Sequence, residues 1–172
     1  SGQGPVRFPP GVYRVVSTLT VAQHRMHLVG AGAWATRILF VPTANDICME
    51  LKLGSASVLY QGSVRGICFY SNDSTYTKTA LEVVDTSGYE LHDIVVGGSV
   101  VAGSTSYWSG SNSIGIRARG REALVCSRTF IAADRPIVMS TNPNTTISVD
   151  HFHFSDQYLL ANGNPCVEIE TA

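Results

Sequence analysis

Three aspartates (Asp93, Asp150 and Asp156) and one aromatic pair (Tyr107-Trp108) have the types and spacing that could do chemistry. Hydrolysis of a glycosidic bond uses two carboxyl groups, about 5 to 9.5 Å apart, one as acid and the other as base or nucleophile. Asp150 and Asp156 flank the run His151-Phe152-His153-Phe154. Glu82, Asp85 and Glu90 are further carboxylates in the approach to Asp93. The sequence selects no pair among them, and turn-forming or solvated carboxylates are the ordinary alternative. Tyr107 and Trp108 lie in a Ser- and Gly-rich stretch and could form a platform on which a sugar ring stacks. The alternatives are a loop folded back over its own scaffold and a contact between subunits.

Metal and cofactor chemistry find little support. His151 and His153 lack a third ligand nearby, and a corner at His151 would turn them apart. Cys48, Cys68, Cys126 and Cys166 have no CxxC or Cys/His spacing and read as buried small apolar side chains. There is no local Asp cluster for calcium. Gly30-Ala31-Gly32-Ala33-Trp34-Ala35 lacks the third glycine of a dinucleotide fingerprint. No metal and no cofactor are expected.

The elements that must position these residues are short β-strands in a repeat. The pattern is apolar, any, small or polar, apolar, any, apolar. It occurs at Val64-Arg65-Gly66-Ile67-Cys68-Phe69 and at Leu91-His92-Asp93-Ile94-Val95-Val96. A looser instance starts at Val125, with Arg128 breaking the fourth position, and another at Val149. The starts are 27, 34 and 24 residues apart, which suits one strand-built coil per repeat with loop insertions. The third residue turns a corner, and period-two alternation resumes after it. One coil cannot bury its apolar face, whereas a stack can. The pattern predicts an all-β solenoid of about five to six coils, as a single domain over 1–172. Two irregular insertions, Tyr70–Thr79 and Gly97–Ser113, project from it.

Hydrophobic residues make up 44% of the 172, enough for a packed core, while charged residues make up only 15%, below the usual quarter. Such a surface suits uncharged partners or burial against another subunit. The formal net charge of −1 gives no basic footprint for nucleic acid. Arg117-Ala118-Arg119-Gly120-Arg121 is the one basic cluster and reads as a solvated or carboxylate-paired loop. No apolar run approaches the ~20 residues of a membrane-spanning helix, so no membrane insertion is expected.

The opening residues add a resemblance. Val6-Arg7-Phe8, the turn Pro9-Pro10-Gly11, the strand Val12 to Val16, Leu19-Thr20-Val21, Met26 to Val29 and Thr36 to Phe40 follow one another with tight turns. This resembles the first coil of the right-handed parallel β-helix in the pectate-lyase-like superfamily, which includes bacteriophage tailspikes and tail fibres. In that family a short amphipathic helix caps the first coil; none precedes this one, so an upstream part of a longer chain is expected. The resemblance implies a homotrimeric virion component that meets other tail proteins and binds bacterial surface polysaccharide, in some members cleaving it. Two alternatives stay open: a structural virion spacer or docking module without catalysis, and a secreted polysaccharide lyase or hydrolase.

Overall fold

A computed structural model describes residues 4–54, 58–97, 108, 110–120, 123–141 and 151–170. All secondary-structure elements are strands: β1 (Val6–Phe8), β2 (Gly11–Val15), β3 (Leu19–Val21), β4 (His27–Gly30), β5 (Thr36–Phe40), β6 (Asp46–Leu51), β7 (Leu59–Tyr70), β8 (Lys78–Val84), β9 (Thr86–Val96), β10 (Ile114–Arg119), β11 (Leu124–Ala133), β12 (Arg135–Ser140), β13 (Phe152–Ala161) and β14 (Val167–Glu170). They form two sheets. One has the order β1-β4-β7-β9-β11-β13, with β2 and β5 joining at β7; the other has the order β3-β6-β8-β10-β12-β14.

Each pairing is parallel and links strands one pass apart. The chain thus makes six passes from the first sheet to the second: β1 to β3, β4 to β6, β7 to β8, β9 to β10, β11 to β12, and β13 to β14. The sheets stay apart as two parallel ladders.

Stacked identical steps bury apolar side chains in rows. One row in the first sheet is Val6, Leu28, Val64, Leu91, Cys126 and Phe154. In the second sheet, Leu19, Met49, Leu81, Ile116, Ile137 and Val167 make another. Leu28 to Cys126 and Met49 to Ile137 are buried within one continuous core. Each such side chain contributes about 1.5–3 kcal/mol on burial, so the inner rungs hold the stack.

The corners are made by residues in the left-handed region. Gly66, Asp93, Arg128 and Asp156 have φ of 65°, 54°, 51° and 52°. The pairs Arg65–His92, His92–Ser127 and Ser127–Ser155 immediately precede them, so all four occupy one row. A second row, Arg25, Gln61, Gly88, Ala123 and His151, has φ of 57°, 48°, 68°, 55° and 54°. The first two repeats are therefore in register as the sequence indicates. The third begins at Cys126 rather than Val125, and the fourth at Phe154 rather than Val149. Arg128 does not break an apolar position; it is the corner residue. His151 also turns a corner, but in the second row. The reason for the shift is that a corner is defined by φ, which Arg can adopt at a cost, and not by a small side chain.

Gly30 shows a different constraint. A Cβ there would lie 2.1 Å from the carbonyl oxygen of Gly66, so two backbones touch where the second pass crosses the third.

Ala123→Gly is expected to stabilise the chain by about 1 kcal/mol, because Ala occupies a left-handed corner at φ 55°. Gly66→Ala is expected to destabilise it by about 1–2 kcal/mol, since the same backbone then carries a Cβ. Denaturant midpoints of the two variants, read at unchanged m-value, check both signs.

Candidate functional site

The corner row places two of the three candidate aspartates together. Asp93, Arg128 and Asp156 stand on consecutive passes. Parallel strands are ~4.8 Å apart, so Asp93 and Asp156 are separated by about 9.6 Å of backbone, with Arg128 between them. The Arg128 guanidinium lies 3.5 Å from Asp93 Oδ1, and both side chains reach solvent. Asp150 lies outside the described residues. The ridge thus alternates acid, base, acid.

Each flank of the ridge carries a further row. On one side His92 Nδ1 is 2.7 Å from Ser127 Oγ; in a separate row two residues further from the corners, His27 Nδ1 is 2.9 Å from Ser63 Oγ on earlier passes. Arg65 pairs with Glu90 there, so Glu90 is held in an ion pair. Stacking of the passes produces these couples, since each joins residues of neighbouring passes. On the other side Val95, Phe130 and Tyr158 form one row. The Phe130 and Tyr158 rings stack with centroids 5.1 Å apart and planes 10° from parallel. Tyr158 is 58% exposed, which leaves ring surface for a ligand. It follows Asp156 by two residues. Acceptors, donors and an aromatic face therefore converge on one ridge, the combination that holds a polyhydroxylated ring.

Trp108 follows the alternative of a loop folded back over its own scaffold. It is fully buried, with its ring 6.2 Å from Phe40 and 5° from parallel. Its indole N–H donates to the Lys78 carbonyl at 3.2 Å, and its backbone N–H donates to the Ala132 carbonyl at 2.7 Å. Burial and these partners remove its ring from any sugar, and the insertion is folded back over its own scaffold at this residue. Tyr107 lies outside the described residues. The other insertion is compact: Asp73 Oδ1 accepts from the Thr75 N–H at 2.6 Å, and the buried Lys78 ammonium donates to the Asp73 and Tyr76 carbonyls. Burial lowers the Lys78 pKa.

The second sheet carries an ionic array. Glu82 is almost wholly buried, with Arg119 Nε 2.8 Å and Arg117 Nη1 3.9 Å from its Oε1. Both arginines lie on strand β10 rather than in a loop, though they are carboxylate-paired as expected; Arg121 lies outside the described residues. Burial raises the Glu82 carboxyl above its usual value, against the pull of the two guanidiniums. Arg135 binds Glu168 at 2.7 Å and Glu170 at 2.5 Å, and its hydrogen bond holds the Glu168 carboxyl low. Asp85 is a buried corner residue at φ 45°.

Cys48, Cys68 and Cys126 are buried, and burial pushes the Cys68 and Cys126 thiols up to about 12. Cys166 departs from the expectation and is exposed, in the link between β13 and β14. Among the described residues no group of three His, Cys, Asp or Glu side chains could hold a metal ion. No helix there is long and apolar enough to cross a membrane.

Sequence reasoning missed Arg128 and Tyr158. The signal was available: with the fourth repeat started at Phe154, alternation beyond Asp156 puts Tyr158 outward.

No protein-family model and no curated protein matches the chain. A solved structure, ORF18 of Geobacillus virus E2, superposes on 99% of the chain with a TM-score of 0.69 at 16% identity. The chain spans 41% of that protein's length. At this identity the likeness concerns the fold. The Agl-KA catalytic domain aligns over 96% of this chain and 45% of its own, at 13% identity and a TM-score of 0.30, too low to support an argument.

The two glutamates predict opposite pH responses. The Glu82 pKa is raised on folding, so its contribution to stability is greatest below about 4.5 and is lost as pH rises through the folded value. Glu168 is lowered, so its contribution is present above about 4.5 and is lost as pH falls through its folded value. Glu82→Gln should therefore gain on the parent as pH rises from 4 to 7, and Glu168→Gln should lose. Thermal melts of the three proteins across that range test it.

Proposed function

We propose that the six passes are the coils of a right-handed parallel β-helix of the pectate-lyase-like kind, and that the chain is a virion tailspike or tail-fibre module that binds bacterial surface polysaccharide. The observation that supports the reading is the fold likeness of this chain, over 99% of its length, to 41% of a viral protein. Parallel crossover connections are right-handed in about 98% of cases, which supports the hand. The polysaccharide part is supported by the ridge, where the exposed Tyr158 face stands beside Asp156, Arg128 and Asp93. A homotrimer joined to other tail proteins completes the reading, by the resemblance of the first coil.

The ridge favours binding over cleavage. Arg128 occupies the step between Asp93 and Asp156 and is within ion-pair distance of Asp93. A hydrolytic pair needs free room for substrate and water between its carboxyls. This geometry also gives weight to the second reading, a structural module without catalysis.

Light scattering coupled to size-exclusion chromatography should give a trimer mass for the parent chain; a monomer would overturn the trimeric spike. Polysaccharide from host cells should bind, and Tyr158→Ala should weaken binding by about tenfold, the scale of one lost stacking contact. Asp93→Asn and Asp156→Asn should leave reducing-end release at the parent's level. A large drop in release in either variant would instead establish a hydrolytic pair.

A further inference from the structure

A second site is built far from the ridge, where the first pass turns into the second. The turn Gln23-His24-Arg25 and Tyr60 line an open depression of about 470 Å³. Two main-chain bonds from Tyr60 clamp the turn. The Arg25 N–H donates to the Tyr60 carbonyl at 3.0 Å, and the Tyr60 N–H donates to His24 Nδ1 at 3.2 Å. The second bond fixes the tautomer. Nδ1 accepts, so the proton of the neutral ring sits on Nε2, which is left to donate outward. The His24 and Tyr60 rings lie 5.6 Å apart at 37°, and Tyr60 is 50% exposed. Arg25 is exposed, has φ 57°, and among the described residues has no ion-pair partner.

Arg25, the one charged side chain lining the depression, sets the ligand's sign. Residues 1–45 contain four arginines and no aspartate or glutamate, whereas the remainder holds eight cations and thirteen carboxylates. A guanidinium, an imidazole N–H and a side-chain amide beside an open aromatic face match a sugar ring that bears an anion: the ring's C–H face meets Tyr60, its hydroxyls meet Gln23 and His24, and its carboxylate meets Arg25.

We propose that Gln23, His24, Arg25 and Tyr60 form a binding site for a carboxylated sugar residue, separate from the ridge at Tyr158. It shares only the class of ligand with the function proposed above, and its test is independent of that reading. The probes are glucuronate oligomers, matched neutral glucose oligomers and inorganic phosphate. Each is titrated into the ¹⁵N-labelled chain while backbone amides are followed by NMR.

Glucuronate oligomers should shift the amides of residues 23–25 and 60, and glucose oligomers should do so far more weakly. Arg25→Asn should weaken the glucuronate response by about tenfold, as loss of one charge-assisted pair does. Asn tolerates the left-handed backbone, so this variant keeps the fold. Arg25→Lys should restore part of the response, and Tyr158→Ala should leave it unchanged. Loss of the response in Tyr158→Ala would place the sugar on the ridge and overturn the proposal. So would equal shifts with phosphate alone, equal shifts with glucose oligomers, or no shift with any probe.

Discussion

The structure depends on a backbone constraint: from the third pass to the sixth, the chain turns through the left-handed region at the same step of each pass. Asp93, Arg128 and Asp156 each adopt this conformation without glycine's freedom. Each costs about 1–2 kcal/mol relative to ordinary backbone. The cost is offset because a correct turn keeps the next strand in phase, so that Leu91 meets Cys126 and Val96 meets Ile131 in the core. A slip of one residue would move every following side chain to the opposite face. The same constraint aligns the surface. Because corners stack on corners, whatever side chains occupy them become a ridge, and the residues two steps on become a parallel stripe.

Charge follows this geometry too. With 15% charged residues the chain has few ions to place, and stacking gathers many of them into ladders. On the second sheet Glu82 sits against Arg117 and Arg119, while Arg135 sits against Glu168 and Glu170. The two groups differ in burial. Glu82 loses more hydration than its partners return, whereas Glu168 stays wet and gains from its partner. Similar ion pairs on one sheet therefore act in opposite directions on stability.

The all-β class, the strand character and the repeat are legible in the sequence where corner residues look like corners. The register of Val64 and Leu91 is legible because Gly66 and Asp93 are recognisable turn residues. The phase fails at Arg128, a residue that reads as an interruption until its φ is known, and the fourth repeat then falls five residues early. Tyr158 dropped out of sight with it. For Trp108 the sequence leaves the stacking platform and the folded-back loop undecided, for a different reason. Its neighbours are serine and glycine, which signal an exposed loop, and nothing local announces a stacking partner as distant as Phe40. The carboxylates of the ridge were legible as residue types, but their alignment with Arg128 depends on register.

Trp108 also bears on how the molecule comes apart. In a stack where each pass meets only its neighbours, unfolding can proceed rung by rung from either end. Trp108 belongs to the fourth pass, yet it touches Phe40 of the second, Lys78 of the third and Ala132 of the fifth. One residue, through its indole and its backbone N–H, therefore braces four successive passes, which nearest-neighbour contacts alone would leave only serially connected. The inner rungs should open as one cooperative unit and exchange their amide protons together, while the first and sixth fray independently.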